Sequence, residues 1–384
     1  MKYRKFGTLD WDVSVLGFGA MRLPVTGGNP DRIDETEAIR MIRYGIDYGI
    51  NYIDTAYPYH GGNSEVVVGR ALKDGYRERV RVATKLPCFY INTADQFDRY
   101  LNEQIERLQT QQIDYYLLHG LNRKTWKTVY ELGVLKWAEG AISDGRIRYL
   151  GFSFHDELDI FKQIVDSYGK WTFCQIQYNY MDTDYQAGTD GLKYAADRGL
   201  SVVVMEPLIG GRLAKTPPEN IARLWDNFSV RRSHVEWAWR WVWDHADVSV
   251  ALSGMSTMEQ VVENVALADT AKAGVMSAGE LALVDSVREA YNARSVIDCT
   301  GCRYCMPCPN GVEIPYIFEL YNDIQIYGQP ENVQFPYNRM LEPEKRADNC
   351  IDCGQCLDVC PQNLDIPRLL EKAHAALKTD SGSN

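Results

Sequence analysis

The sequence predicts an α/β fold, a (β/α)8 barrel, followed by a smaller cysteine-rich domain. Short apolar runs alternate with longer helical patterns through about the first 290 of the 384 residues. The chain holds 10 cysteines, and all but Cys88 and Cys174 fall between Cys299 and Cys360. A composition shift this sharp marks a domain boundary. We therefore expect a barrel over 1–290, a second domain over 291–377 and a disordered tail over 378–384.

The predicted strands are short runs rich in β-branched or aromatic residues. They are Val13–Ala20, Asn51–Thr55, Val80–Lys85, Ile113–His119, Ile147–Ser153, Thr172–Tyr178, Ser201–Met205 and Val248–Ser253. The helical patterns are Glu35–Tyr48, Asn63–Lys73, Ala94–Leu108, Trp126–Ser143, Glu157–Tyr168, Gly191–Arg198, Arg231–Asp244 and Met258–Ala268. Eight strand–helix pairs in about 250 residues are the expectation for a closed (β/α)8 barrel.

A doubly wound open sheet is the alternative architecture. Such a sheet normally carries a Gly-x-Gly-x-x-Gly turn after its first strand, and Gly17-Phe-Gly19-Ala-Met-Arg22 departs from that pattern. Ahead of the barrel, Tyr3–Phe6 and Val13–Leu16 are expected to form a small hairpin. The long connection Ile209–Ser229 contains two prolines and two adjacent glycines, and we interpret it as an active-site loop rather than a further element.

Charge and composition argue against several classes of protein. The formal net charge is −11, whereas a nucleic-acid-binding protein usually needs a basic face. No apolar run reaches the roughly 18–20 residues that cross a bilayer, and Met1–Asp12 lacks the apolar core of a secretory signal. We therefore expect a cytoplasmic protein that binds neither nucleic acid nor a membrane. In that reducing compartment the cysteines should not form disulfides.

Polar side chains at the ends of three successive predicted strands are the candidate catalytic residues. Asp54, Lys85 and His119 each close a largely apolar strand, and Tyr59 follows Asp54 in the next loop. Because catalytic side chains of such barrels project from the carboxyl ends of the strands, these four should meet on one rim. The structural alternative, in which each is an ordinary strand-end residue, is weakened by their joint placement.

The residue types indicate proton transfer to a carbonyl oxygen. A tyrosine is a poor acid at neutral pH unless a nearby cation stabilises its phenolate, and Lys85 can supply that charge. Asp54 can pair with Lys85 and keep it ionised. His119 can hydrogen-bond the substrate oxygen, and Tyr59 can donate the proton as hydride reaches the carbonyl carbon.

The run Gly49-Ile-Asn-Tyr-Ile-Asp54-Thr-Ala-Tyr57-Pro-Tyr59, followed by Lys85 and His119, resembles the aldo-keto reductase tetrad in order and spacing. The likeness extends from about Tyr3 to Asn264. It implies a (β/α)8 fold, NADP or NAD as cofactor, and reversible reduction of a small aldehyde or ketone to an alcohol by direct hydride transfer.

The resemblance also implies a nucleotide site. Ser153 and Gln175 match the residues that contact the carboxamide, and the run Glu206-Pro-Leu-Ile-Gly-Gly211 would lie over the pyrophosphate. The run Ser253-Gly254-Met-Ser256, with Gln260, Glu263 and Asn264, matches the adenosine end. The full set of predicted nucleotide contacts is Ser153, Gln175, Met205, Pro207, Leu208, Gly210, Arg212, Gly254, Ser256, Gln260, Glu263 and Asn264.

Four positions depart from the family pattern. Met205 stands where a stacking tyrosine is usual, and Phe154 stands where an asparagine is usual. Gly254 and Gln260 stand where a basic pair often grips the 2′-phosphate, and Arg212 could compensate. The choice between NADH and NADPH is therefore left open by the sequence.

Two cysteine runs predict iron–sulfur chemistry. They are Cys299-x2-Cys302-x2-Cys305-x2-Cys308-Pro309 and Cys350-x2-Cys353-x2-Cys356-x3-Cys360-Pro361. A C-x2-C-x2-C-x3-C-P run binds a 4Fe–4S cluster, and in two-cluster ferredoxins the fourth cysteine serves the other cluster. We therefore assign Cys299, Cys302, Cys305 and Cys360 to one cluster, and Cys350, Cys353, Cys356 and Cys308 to a second.

The repeat continues past the cysteines, with Ile314-Pro315 and Ile366-Pro367 opening a helix in each half. The module resembles the helical, two-cluster ferredoxin-like domain attached to one branch of aldo-keto reductases. Zinc is the alternative, although its sites usually pair two C-x2-C units. The first run is one residue short before Cys308, so a single cluster beside a degenerate site is a further alternative.

Three functions follow from the combination. In the first, the barrel reduces a carbonyl while the clusters are structural or exchange electrons with a partner protein. Alternatively, a flavin or the substrate couples the nicotinamide to the clusters. The third is a non-catalytic redox sensor or electron carrier, which an intact tetrad counts against.

Overall fold

The computed structural model describes residues 1–294, 296–327 and 334–378. The chain divides into two compact units, one over Met1–Pro207 and Val235–Met276 and the other over Leu208–His234 and Ser277–Asn384. Each is described by itself. In the described part of the chain no helix is both long and apolar enough to cross a membrane.

The first unit is a closed barrel of eight parallel strands, as the sequence predicted. A hairpin of β1 (Tyr3–Lys5) and β2 (Asp12–Ser14) precedes it. The barrel strands are β3 (Leu16–Gly19), β4 (Tyr52–Asp54), β5 (Arg81–Leu86), β6 (Ile113–Leu121), β7 (Ile147–Phe154), β8 (Phe173–Gln177), β9 (Ser201–Met205) and β10 (Val248–Ser253). Each pairs with the next in parallel register, and β10 pairs with β3 to close the cylinder. The open-sheet alternative is thereby excluded.

Helices follow the strands around the barrel. They are α1 (Glu35–Asp47), α2 (Asn63–Ala71), α3 (Asp95–Leu108), α4 (Arg123–Glu131), α5 (Val134–Ser143), α6 (Leu158–Asp166) and α7 (Gly188–Ala196), and later α9 (His234–Asp244) and α10 (Met258–Ala268). The single helix predicted over Trp126–Ser143 was wrong, because Gly133 adopts a left-handed φ of 81° and separates α4 from α5. That conformation ends one helix and starts the next.

Aromatic side chains fill the amino-terminal end of the barrel. Phe6, from the hairpin, is fully buried and lies 4.7 Å from Tyr115, 5.7 Å from Phe173 and 6.0 Å from Tyr52, measured between ring centroids. Each of these three partners sits near the start of its strand. The packed plug therefore occupies one end, and the polar strand-end residues lie at the other.

The interpretation of Ile209–Ser229 as an irregular loop was wrong over part of its length. The second unit contains a helix α8 (Glu219–Asn227) within that segment. Pro218 immediately precedes the helix, where its fixed φ is tolerated. Ile221 and Trp225, four residues apart on one face, are buried. Two prolines therefore marked the start of a helix and not an absence of structure.

The second unit continues with α11 (Ala278–Asn292), α12 (Ile314–Tyr327) and α13 (Ile366–Leu377). Helix α11 begins with a capping box of Ser277 and Glu280. The predicted domain boundary at residue 290 falls inside α11, and a division of the chain at that residue remains a prediction.

Helices α12 and α13 both begin at the Ile-Pro of the repeat, and they share one apolar core with Ile317, Phe318 and Leu370. Between α12 and α13 the chain forms short helical turns at Pro336–Met340, Pro343–Lys345 and Ala347–Asn349. All of the predicted tail except Lys378 lies outside the described residues.

Candidate active site and cysteine clusters

The four candidate catalytic side chains come together at the carboxyl ends of the barrel strands. Asp54 is the last residue of β4, Lys85 lies near the end of β5, and His119 lies near the end of β6. Tyr59 begins a short helical turn in the loop after β4. All four are buried, and Tyr59 is the most exposed of them at 7%. Parallel strands in neighbouring positions account for this convergence.

The Lys85 ammonium is held by three oxygen atoms. Its Nζ donates to Asp54 Oδ1 at 2.7 Å, to the Thr55 carbonyl at 2.8 Å and to the Tyr59 hydroxyl at 3.3 Å. Three acceptors match the three N–H donors of an ammonium group. The lysine is fully buried, so the ion pair with Asp54 is what compensates its lost hydration.

Burial and charge act in opposite directions on this pair. Burial lowers the pKa of Lys85, and the Asp54 carboxylate opposes that change. Burial likewise raises the pKa of Asp54, against the attraction of Lys85. Because the ammonium has a complete set of acceptors, we take the pair to be ionised. An ammonium this close to Tyr59 stabilises the phenolate that a proton-donating tyrosine leaves behind.

His119 is held in its neutral form. Burial, and then the positive charge of Lys85, push the pKa of His119 well below its usual value. Its ring lies edge-on to that of Tyr59, with centroids 6.1 Å apart, and 5.4 Å from the ring of Phe89. A neutral imidazole beside a tyrosine can donate a hydrogen bond to a carbonyl oxygen without competing for its proton.

Residues behind the tetrad form a polar network that the sequence analysis missed. Thr84, Gln104 and Arg107 all donate hydrogen bonds to the carboxylate of Glu65, which is fully buried on α2. The signal available in the sequence was a lone acid beside Val66, Val67 and Val68. A charged residue inside an apolar run suggests a buried partner.

The residues predicted to contact the nicotinamide lie at the ends of the next strands. Ser153 is buried in β7, where its hydroxyl accepts a hydrogen bond from the Gly120 amide at 2.8 Å. Gln175 is buried in β8, and its Nε2 lies 3.5 Å from the sulfur of Met205 on β9. Within the described chain, Gln175 Oε1 is buried without a hydrogen-bond partner. A buried acceptor of this kind fits an amide-bearing ligand such as nicotinamide.

The residues predicted for the adenosine end lie around the start of α10. Gln260 Oε1 accepts from the Ser256 amide at 2.7 Å, and Asn264 Nδ2 donates to Ser253 at 3.0 Å. These contacts hold the turn in shape without a ligand. Gly254 is exposed and packs on the side chain of Arg22, a basic residue that the sequence analysis did not single out.

The remaining predicted contacts are placed as follows. Pro207 ends the first segment of the barrel unit, and Glu263 is exposed on α10. Leu208, Gly210 and Arg212 belong to the second unit. There Arg212 lies 3.8 Å from Asp298. Their contact with a nucleotide remains a prediction.

None of the eight clustered cysteines forms a disulfide, and their assignment to two clusters remains a prediction. The pKa of Cys305 is raised by burial and then by the charges of Cys302, Cys299 and Cys360. The pKa of Cys356 is raised to about 11 by burial, with Cys350, Cys353 and Cys308 adding to the rise. These influences decay with distance, so each set of four lies close together.

A single metal ion fits these cysteines poorly. Among residues 1–294, 296–327 and 334–378, no three His, Cys, Asp or Glu side chains lie close enough to hold one ion. A 4Fe–4S cluster needs a wider spacing, because each thiolate binds a different iron. Gly301 and Gly354 adopt left-handed conformations in the two runs, with φ of 67° and 73°. Four cysteines in each run, at this wider spacing, therefore suit a cluster better than zinc.

Comparison with known proteins agrees with both halves. Residues 15–289 match the model of the aldo/keto reductase family, and residues 298–364 match a 4Fe-4S dicluster domain. Probable aldo-keto reductase 1 of Glycine max is 34% identical over 159 residues, which are 39% of this chain and 44% of that protein. The chain thus spans under half the length of this relative.

Two longer matches cover the barrel. The NADH-specific methylglyoxal reductase of Escherichia coli is 28% identical over 316 residues, covering 69% of this chain and 93% of that protein. The holo form of the aldo-keto reductase AKR11C1 from Bacillus halodurans is 29% identical, with a TM-score of 0.62 over 75% of this chain and 96% of that one. The chain is an oxidoreductase of the aldo/keto reductase family that carries a 4Fe–4S dicluster domain after its barrel.

Proposed function

We propose that this protein is an NAD(P)H-dependent carbonyl reductase, reversible as an alcohol dehydrogenase, in which Tyr59 is the proton donor. The observation that supports it most is the 3.3 Å contact between the Tyr59 hydroxyl and the Lys85 ammonium. That ammonium is in turn paired with Asp54 at 2.7 Å. An acid paired with a cation in a buried site is suited to general acid catalysis.

The proposed reaction moves one hydride and one proton. A nicotinamide held by Ser153, Gln175 and Met205 would supply the hydride for the carbonyl carbon. His119, in its neutral form, donates a hydrogen bond that orients the carbonyl oxygen. Tyr59 gives its proton to that oxygen, and Lys85 stabilises the phenolate that remains. The alcohol leaves, and Tyr59 regains a proton from solvent.

Ser153, Gln175 and Met205 would hold the nicotinamide end of the nucleotide. The buried Oε1 of Gln175 supports this role. Gly254, Ser256, Gln260, Glu263 and Asn264 would surround the adenosine end. The sequence leaves NADH and NADPH open, so both nucleotides belong in the assay.

We further propose two 4Fe–4S clusters, one bound by Cys299, Cys302, Cys305 and Cys360 and the other by Cys350, Cys353, Cys356 and Cys308. The electrostatic grouping of the thiols supports this division. A cluster carries one electron at a time, whereas hydride carries two. The clusters are therefore either structural or in exchange with a partner protein.

The deciding experiment is oxygen-free purification with iron and sulfide counted. Oxidation of NADH and of NADPH is then followed against a panel of aldehydes and ketones. Turnover with a carbonyl substrate supports the proposal, and nucleotide binding without any carbonyl turnover contradicts it.

The dicluster domain favours one second candidate, an electron-transfer reductase in which a flavin couples nicotinamide to the clusters. Denaturing the anaerobically purified protein would release that flavin as a yellow, fluorescent supernatant. A colourless supernatant removes the flavin-coupled form.

A further inference from the structure

A buried carboxylate lies directly behind the candidate tetrad. Glu65 Oε1 accepts hydrogen bonds from Thr84 Oγ1 and from Gln104 Nε2, both at 2.6 Å. Its Oε2 accepts from Arg107 Nη1 at 3.2 Å. The Gln104 amide group and the Arg107 guanidinium can only donate to this carboxylate. Burial raises the pKa of Glu65, and these hydrogen bonds together with the charge of Arg107 act against that rise, which favours the ionised form.

The two donors from α3 also reach the main chain on either side of the tetrad. Gln104 Nε2 donates to the Lys85 carbonyl at 3.0 Å. Arg107 Nη1 donates to the Tyr57 carbonyl at 3.3 Å, two residues before Tyr59. One carboxylate thus fixes the side chains that hold both the Lys85 strand and the Tyr59 loop.

We propose that Glu65 is a positioning residue for the carbonyl reduction proposed above. It holds Gln104 and Arg107 so that the Tyr59 hydroxyl stays in contact with the Lys85 ammonium. The expected kinetic effects rest on that proposed function. The positioning of Gln104 and Arg107 by Glu65 rests on the hydrogen bonds alone. Misplacing a reacting group by an ångström costs up to about 100-fold in rate.

Glu65 also contributes charge. Lys85 is faced by Asp54 from β4, by Tyr59 from the following loop, by His119 from β6 and by Glu65 from α2. The negative charge of Glu65 raises the pKa of Lys85, in the same direction as Asp54. The charge of Glu65 is itself faced by Arg107, and by the hydroxyl-bearing Tyr116.

The decisive substitution is Glu65→Gln. The amide keeps the shape of the carboxylate, but its NH2 group meets partners that are themselves donors. We expect kcat to fall roughly 10-fold to 100-fold, with the KM for nucleotide nearly unchanged. Less negative charge lets Lys85 lose its proton at lower pH, so the alkaline limb of kcat should move to lower pH.

Glu103→Gln is the matched control. Glu103 lies on α3 beside Gln104, accepts a hydrogen bond from the Tyr57 hydroxyl at 2.8 Å and lies 3.9 Å from Arg107. Its side chain is 39% exposed. Kinetics close to those of the unsubstituted protein are expected. An equal loss in both variants would mean that α3 has simply loosened, and would overturn the proposal.

A readout that needs no turnover separates this inference from the proposed function. In holoprotein labelled with 13C at lysine Cε, the Lys85 signal is assigned by its absence in Lys85→Arg and titrated by NMR. The midpoint should be lower in Glu65→Gln and unchanged in Glu103→Gln. An unchanged midpoint in Glu65→Gln refutes the inference even if carbonyls are reduced. A lowered midpoint in a protein that reduces no carbonyl refutes only the proposed function.

If Glu65→Gln does not fold, Arg107→Lys replaces it. A lysine keeps the positive charge beside Glu65, but its flexible stem replaces the planar guanidinium. The contacts to the Glu65 carboxylate and the Tyr57 carbonyl are then held less rigidly. We expect a smaller fall in kcat with the Lys85 titration unchanged. Unchanged kcat in this variant would contradict the positioning role.

Discussion

Replacing Tyr59 with phenylalanine removes the proposed proton donor and little else. The ring keeps its edge-on contact with His119 and its place 4.9 Å from the Lys85 ammonium. Lys85 loses one acceptor but retains Asp54 Oδ1 and the Thr55 carbonyl. The hydroxyl deletion is therefore expected to change the free energy of unfolding by no more than about 1 kcal/mol.

The kinetic effect should be far larger. General acid catalysis by a positioned side chain contributes about 10²–10⁴-fold, which corresponds to about 3–5 kcal/mol of activation free energy. The assay is oxidation of NADPH and NADH by the holoprotein with its best carbonyl substrate, at several pH values.

Nucleotide affinity, measured by fluorescence titration, serves as the control, because Tyr59 is not among the predicted nucleotide contacts. It should differ from that of the unsubstituted protein by less than about twofold, since a lost contact would cost at least 1 kcal/mol. Turnover of Tyr59→Phe within about 10-fold of the unsubstituted protein would refute the assignment of Tyr59 as the acid.

Three other outcomes are expected. Lys85→Met should lower the free energy of unfolding by about 3–5 kcal/mol, because it leaves the buried Asp54 charge without a partner. Urea unfolding should show a larger loss at high pH, where Asp54 stays ionised, and a smaller loss in the double variant Asp54→Asn/Lys85→Met. Burial lowers the pKa of His155 to about 4, so as the pH falls the unfolded chain takes up a proton at this residue before the folded chain does. The free energy of unfolding should therefore fall by about 3 kcal/mol between about pH 6.5 and about pH 4. The fall should be smaller in His155→Leu. Cys308→Ala should lower the iron content from about eight to about four per chain. Cys360→Ala should do the same, and Cys88→Ala should leave the iron content unchanged. Full iron in Cys308→Ala would mean that Cys308 is not a cluster ligand.

The barrel could be predicted because its information is local. Each strand is a short apolar run bounded by turn residues, and β9 and β10 have the bounds that the sequence indicated. The tetrad followed from strand ends alone, since neighbouring parallel strands must bring Asp54, Lys85 and His119 to one edge.

The network behind the tetrad could not be read in the same way. Glu65 finds Thr84 19 residues away, Gln104 39 residues away and Arg107 42 residues away. No periodicity within α2 or α3 specifies these pairings, because they depend on how the helices pack against the barrel. Helix α8 was missed for a different reason, since its two preceding prolines resemble a loop until the burial of Ile221 and Trp225 is known.

The segment from Leu208 to His234 leaves the barrel chain after β9 and returns to it at α9, yet it groups with the cysteine-bearing unit. Within that unit, Phe228 lies beside Gly279 of α11, and Arg232 pairs with Glu280. A chain cut at residue 276 would remove the partners of Phe228 and Arg232, which follow α8. Residues 208–234 therefore depend for their packing on residues that the sequence places after Met276.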